Sequence, residues 1–347
     1  MQPADRKAAV DAALQKTLEL CALPSPTGFT KKAVDWLDRE FRALGFQTSL
    51  TRKGVLRVDL GGEGRPLAIA SHVDTLGAIV RAITPEGRLR LTPVGGLSYT
   101  AIDTENCTIH CRSGREYSGV VQMPEASAHV FKETYKKERT DQTLLVFVDE
   151  KVSSRAETEA LGIRPGDFVS FDPRTRLTPS GFLKSRHIDD KACVGLLLAL
   201  ARDIREGRVK PGRKVWAVIT TYEEVGHGGA VSAPREIEDF LVLDMGCVGD
   251  DLQGSEFKVS IAAKDSSGPF DYEMTNQLIA LAEGAGIGYV VDIFPHYSSD
   301  AAVALRAGYD VRHALIGPGV FASHGYERTH REALEHTYAL LAALVED

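Results

Sequence analysis

The chain has 347 residues, 43% of them hydrophobic and 26% charged, with a formal net charge of −7. That length exceeds the usual single compact unit, so it implies two domains or one domain with an insertion, and a core that needs no disulfide staples. The acidic balance argues against a nucleic-acid or anionic-membrane partner, and the longest apolar run, CVGLLLALA, is too short to span a bilayer. The opening segment MQPADRKAAVDAALQ is charged and lacks an apolar run. Together with an odd number of cysteines (five) in no framework spacing, it gives a cytoplasmic location as the expectation.

Helices come first. Val10, Leu14, Leu18 and Cys21 recur at helical spacing over residues 5–22, and Pro24 stops that helix. A second helix, capped by Thr27 or Thr30, carries Ala33, Trp36, Leu37, Phe41 and Leu44 on one stripe. Alternation takes over at Arg57, Val58 and Asp59, and LAIAS at 67–71 reads as a short strand buried on both faces. From 78 to 178 the texture is all-β: GAIVRAI, GRLRLTP, CTIHC, YSGVVQM, LLVFVD and DFVSFD are separated by Gly, Pro and Asp turn signals. The polar stretch SAHVFKETYKKERTDQT among them is a loop or a short helix. After 183 helices and strands alternate again, from a helix over 190–206 and the strand VWAVITT to a closing helix over 331–345. This rhythm predicts an α/β fold. Its mixed, mostly parallel sheet has helices on both faces, and a small β-barrel domain is inserted in the chain.

The residues that carry chemistry fall where predicted strands end. His72 and Asp74 in SHVDTLG are two apart and point to the same side. A metal-bound imidazole needs its second nitrogen fixed, and the Asp74 carboxylate is the nearest group for that. Asp189 and Asp190 open a helix; Asp190 suits the helix dipole, whereas two carboxylate oxygens allow Asp189 to bridge two cations. His187 is the rival ligand there. Glu223 and Glu224 follow an apolar strand directly, where adjacent acids need a compensating charge, so one is free to ligate while the other handles protons. Asp244 lies inside LVLDMG, and His324 in the Gly- and Ser-containing loop GPGVFASHGYE. His227 is placed near the site without binding metal, and Ser298–Asp300 as a substrate contact or a helix cap. Of the ten histidines, His129, His296, His313, His330 and His336 read as structural. Cys107 and Cys111, which flank His110, have no second pair and read as core thiols on one strand.

Imidazoles and carboxylates without thiolates suit a pair of borderline-hard cations such as Zn²⁺, Co²⁺ or Mn²⁺, and hence metal-assisted hydrolysis. A glycosidase fits less well, because its two carboxylates come from separate segments.

The ordered set, a His-x-Asp, an Asp-Asp before a helix, a Glu-Glu after a strand, an Asp after the next strand and a terminal His, is similar to that of the co-catalytic dinuclear metallopeptidases. It most resembles metallopeptidase family 42, the glutamyl and tetrahedral aminopeptidases, over nearly the whole chain, including SPTGFT near the N-terminus. The resemblance implies a zinc-exopeptidase-like catalytic domain in two parts, 1–77 and 179–347, and an inserted oligomerisation barrel at 78–178. It also implies two divalent metal ions per subunit, Zn²⁺ or Co²⁺ before Mn²⁺, with His72, Asp189 and Asp244 on one and Asp189, Glu224 and His324 on the other. Glu223 would be the general base and Asp74 would orient His72. Related dinuclear enzymes carry a cis peptide after the bridging aspartate. The implied activity is hydrolysis of N-terminal peptide bonds of short peptides in a homo-oligomer built from dimers, up to a dodecamer. HID before the bridging aspartate, His227 in EEVGHGG and SSD at 298–300 depart from the commonest family forms. In these the sequence looks like relatives that turn over small acylated dipeptide osmolytes. A deacylase or amidohydrolase of small N-blocked dipeptides or amides therefore stays open, with a non-catalytic metal-binding scaffold behind it.

Overall fold

The computed structural model describes residues 3–347, with side chains from Asp5 onward. The chain divides into two compact units: Thr75–Pro173, and the sequence on either side of it, up to Asp74 and from Arg174.

The larger unit is built on a 13-stranded mixed sheet. At its centre the strands Val215–Thr220, Leu67–His72, Asp239–Leu243 and Arg312–Phe321 lie side by side and parallel. Antiparallel strands extend it on both sides, Leu56–Gly61 beyond Val215–Thr220 and Val259–Asp265 beyond Arg312–Phe321. Every residue of Leu67–His72 is buried. Leu67 and Ile69 join one apolar cluster and Ala68 and Ala70 another, as the period of two requires of a strand covered on both faces. On the first face the helices Pro3–Cys21, Ile188–Arg205 and Arg331–Glu346 pack together. On the second, Phe240, Val242 and Leu315 meet Ala301 and Ala304 of the helix Asp300–Arg306.

Register decides where the chemistry sits. Thr220 pairs with His72, Ala70 with Val242, and Leu243 with Ile316, so the carboxyl ends of the parallel strands finish nearly level. Ligands in open α/β sheets gather at such ends.

The smaller unit is a closed six-stranded barrel in the order Gly77–Ile83, Leu89–Val94, Leu145–Val148, Glu116–Gln122, Asn106–His110 and Phe168–Phe171. Cys107 and Cys111 lie in its apolar core beside Ile109, Val121 and Val169, which is the role expected of core thiols. The polar stretch at 127–143 contains one 3₁₀ turn, Thr134–Lys136.

Candidate metal centre

Each functional side chain is delivered by the end of a central element. His72 is the last residue of its strand, and Asp74 follows two positions later. Glu223 and Glu224 form a 3₁₀ turn three residues beyond Thr220. Gly226 closes that turn at φ +74°, a conformation only glycine adopts without strain. Asp244 directly follows Leu243. Its carbonyl lies where a Cβ on Gly317 would overlap it, so glycine is required at 317 for the backbones to approach this closely. His324 sits in the turn after Phe321. The helix over 188–205 is not helical at Asp189 and Asp190, and the peptide between them is cis.

The donors converge. His72 Nε2 lies 3.0 Å from Asp189 Oδ1, 3.8 Å from Glu223 Oε2 and 4.0 Å from Asp244 Oδ2. His324 Nε2 lies 3.7 Å from Asp189 Oδ2 and 3.5 Å from Glu224 Oε2. The two oxygens of Asp189 therefore face two different imidazoles. Donor atoms of His72, Asp189 and Glu224 fall within 4.8 Å of one another, and so do those of His72, Asp190 and Asp244.

Backbone and second-rank contacts fix these donors. His72 Nδ1 is 2.9 Å from the Asp74 backbone carbonyl, which leaves Nε2 facing the carboxylates. The Asp74 carboxylate, to which the sequence pointed as the group orienting His72, has its Oδ1 3.7 Å from Nδ1. That carboxylate accepts the backbone N–H groups of Glu223 and Glu224 at 3.2 and 3.3 Å and the Thr27 hydroxyl at 2.7 Å. It holds the Glu-Glu turn in place. Asp190 does more than face a helix dipole: its Oδ2 accepts from the Ser71 hydroxyl and from the His72 backbone N–H. Glu327, which carries no motif, is 2% exposed and accepts the backbone N–H groups of Asp189 and His324, each at 3.1 Å.

Electrostatically the site is an excess of buried negative charge. Burial, and next the charge of Asp189, push the Asp244 carboxyl up to about 7. Burial first, and then neighbouring carboxylates against the opposing pull of His72, raise Glu223 well above the usual range. Burial and the Asp189 charge raise Glu224 in the same direction. Burial alone would lower His72, but the Asp189 hydrogen bond and the charges of Asp244 and Glu223 outweigh it and hold the imidazole well above its ordinary value. Among the described residues, Asp190 Oδ1 is buried without a hydrogen-bond partner. Carboxylates and imidazoles in this state fit divalent cations, which supply the missing positive charge and suit oxygen and nitrogen donors.

The M42 glutamyl aminopeptidase family model matches residues 54–340. The chain belongs to that family. It is 43% identical over 325 residues to the Bacillus subtilis (strain 168) protein named "Putative aminopeptidase YhfE", with 93% of this chain and 94% of that one covered. To the lysyl aminopeptidase of Pyrococcus furiosus it is 26% identical over 200 residues, 57% of this chain and 56% of the other. Among solved structures, the TET aminopeptidase of Thaumarchaeota archaeon SCGC AB-539-E09 superposes with a TM-score of 0.86 at 17% identity, over 96% of both chains. The Pyrococcus horikoshii TET1 peptidase, which can assemble into a tetrahedron or a large octahedral shell, gives 0.81 at 21% identity over 96% and 99%. These two likenesses concern the fold. Family membership makes the chain an aminopeptidase, a hydrolase of peptide bonds.

In this M42 chain the other histidines separate cleanly. His187 precedes the helix in a left-handed conformation (φ +71°), without a side-chain capping hydrogen bond, and belongs to neither converging group. His227 is exposed, and its carbonyl accepts from Lys53 Nζ at 2.6 Å. His330 and His336 make structural hydrogen bonds to the backbone of Ser180 and Gly288. His296, read from the sequence as structural, instead lines the cavity beside the acidic residues, together with Tyr297 and Ser298. Nothing in the PHYSS stretch announces this, because the segment reaches the site only through the fold. Ser299 precedes the helix Asp300–Arg306, but its side chain makes no capping hydrogen bond. Asp300 accepts from the Thr220 hydroxyl at 2.6 Å, a tie between that helix and the strand leading to Glu223. Among the described residues, no helix is long and apolar enough to cross a membrane.

Proposed function

We propose that the chain removes N-terminal residues from short peptides at a centre holding two divalent cations, Zn²⁺ or Co²⁺ in preference to Mn²⁺. The observation that carries this reading is the Asp189 carboxylate, whose two oxygens face His72 at 3.0 Å and His324 at 3.7 Å. A carboxylate placed so between two imidazoles suits a bridge. His72, Asp189 and Asp244 would hold one cation, and Asp189, Glu224 and His324 the other. Bound there, the cations supply Lewis acidity, which polarises the scissile carbonyl and acidifies the attacking water.

The chain's own residues do the rest. Glu223 Oε2, 3.8 Å from His72 Nε2, takes the proton of the attacking water and delivers it to the leaving amine. In the metal-free site burial raises its carboxyl well above the usual carboxylate range. Asp74 keeps Glu223 and Glu224 at their posts through the backbone hydrogen bonds of their turn. A free α-amine would find its partner in one of the two cations, which favours substrates with an exposed N-terminus.

The barrel unit would mediate contacts in a homo-oligomer built from dimers, up to a dodecamer. Its exposed Val130, Phe131 and Tyr135 support this, since apolar groups left in water mark association surfaces. A cytoplasmic location completes the reading.

The test is a set of short peptide anilides, free and N-acetylated, offered to chelated protein reloaded with Zn²⁺, Co²⁺ or Mn²⁺. Cleavage of the free-amine set and not the acetylated set is expected. The reverse result replaces the aminopeptidase with an amidase of N-blocked substrates.

A further inference from the structure

Beside the acidic centre lies a cavity of about 220 Å³, and no lysine or arginine lines it. The side-chain N–H donors on its wall are two imidazoles, His296 and His324. His324 is committed, its Nε2 3.7 Å from Asp189 and 3.5 Å from Glu224. Of the three hydroxyls on the wall, those of Tyr297 and Ser299 are buried. The third, Ser298 Oγ, shares a 2.9 Å hydrogen bond with Ser267 Oγ. His296 is exposed, and among the described residues no hydrogen bond, ion pair or ring contact engages its imidazole. His330 and His336, by contrast, each spend a ring nitrogen on a backbone group.

The backbone that carries His296 is nonetheless pinned on both sides. Before it, the Phe294 N–H donates to the Lys264 carbonyl at 2.9 Å. After it, the Tyr297 carbonyl accepts the N–H and the hydroxyl of Ser266 at 2.8 and 2.7 Å. The rings of Phe294 and Tyr297 pack edge to face, 5.4 Å apart, and Pro295 fixes the φ between them. An unused donor is thus held on the wall of the site by a segment with little freedom.

Amide hydrolysis turns the scissile carbonyl oxygen into an oxyanion, and an N–H fixed in advance beside that oxygen lowers the barrier. A neutral imidazole offers this donor without bringing a third positive charge to a site that would hold two cations. Resting on the hydrolytic reading above, we propose that His296 is a catalytic residue. A ring N–H donates to the oxygen of the scissile carbonyl and holds it more tightly in the tetrahedral state. The water oxygen bonds to the carbonyl carbon, its proton passes to Glu223, and the π pair of the carbonyl moves onto oxygen. His296 keeps its own proton throughout.

The experiment compares metal-loaded wild type, His296→Ala and His296→Gln on alanyl 4-nitroanilide and its N-acetylated form. On the form that the wild type cleaves, His296→Ala should lower kcat by about 10²-fold while KM changes by less than about 3-fold. His296→Gln, which keeps a side-chain N–H, should recover about 10-fold of that loss. Metal content should match the wild type. Calorimetry adds a readout without turnover: a phosphinic dipeptide analogue, which mimics the tetrahedral carbon, should bind His296→Ala about 10²-fold more weakly. Isobutylamine, which has no carbonyl, should bind both proteins alike. An unchanged kcat, with or without a higher KM, overturns the role of His296. So does loss of metal from the alanine variant, or equal binding of the phosphinic analogue. Cleavage of the N-acetylated form alone overturns the aminopeptidase reading instead, and the His296 comparison then stands on that substrate.

Discussion

Asp74 Oδ1 accepts the backbone N–H of Glu223 at 3.2 Å, across 149 residues of chain. The buried carboxylate of one strand end thereby positions the turn that bears the proposed base. Asp74→Asn replaces one acceptor oxygen with a donor facing an N–H. Turnover is expected to fall by about 10- to 100-fold, because small misplacements of a reacting group are costly. Metal content, measured by atomic emission, should stay unchanged.

Glu223→Gln keeps the shape of the side chain and removes its ability to take a proton. kcat should fall by about 10²- to 10⁴-fold with both cations retained. Near-normal kcat would falsify the proton-transfer role.

Asp189→Ala removes the carboxylate whose two oxygens face His72 and His324. Loss of both metal and activity is expected. Two ions per chain, found after dialysis against buffer free of added metal, would show that Asp189 is not a bridge.

Glu327→Gln tests a residue outside the ligand set. Its two oxygens each take one backbone N–H, from Asp189 and from His324, and the amide satisfies only one of them. Supporting contacts of this kind are worth about 10- to 100-fold in metal affinity. Competition with a chromophoric chelator should read that loss while circular dichroism remains native.

Chelation should lower Tm, and more so at pH 8 than at pH 5. In the metal-free protein Asp244 is pushed up to about 7 and Asp300 to about 6, in both cases chiefly by burial. Between their unfolded values near 4 and these folded values, the native state holds protons that the unfolded state has released. Metal-free stability therefore declines as pH rises through this window, whereas cations offset the carboxylate charges. Differential scanning calorimetry at the two pH values, with and without chelator, checks the sign. An equal Tm loss at both would contradict it.

Much of this architecture was legible in the sequence because it rests on short-range pattern. LAIAS has no polar face to give to water, so it had to be a strand covered on both sides, and His72 had to leave its end. The same logic placed Glu223, Glu224 and Asp244. What the sequence could not show depends on backbone detail or on distant pairing. Whether His72 Nδ1 meets the carboxylate or the carbonyl of Asp74 is set by the local turn. Glu327 enters the site because Glu327–His330 pairs with Phe182–Ser185, and no residue pattern near it announces a role. Asp190 looked like an ordinary helix-opening acid, and only its contacts with Ser71 and His72 distinguish it.

The order of donors along the chain has a consequence for biogenesis. In the proposed ligand assignment His72 precedes the barrel segment Thr75–Pro173, whereas Asp189, Asp244 and His324 follow it. A growing polypeptide therefore cannot complete the first ion pocket before Asp244 has left the ribosome, nor the second before His324 has. A product terminated within the barrel segment, however well its early strands pair, would hold neither cation.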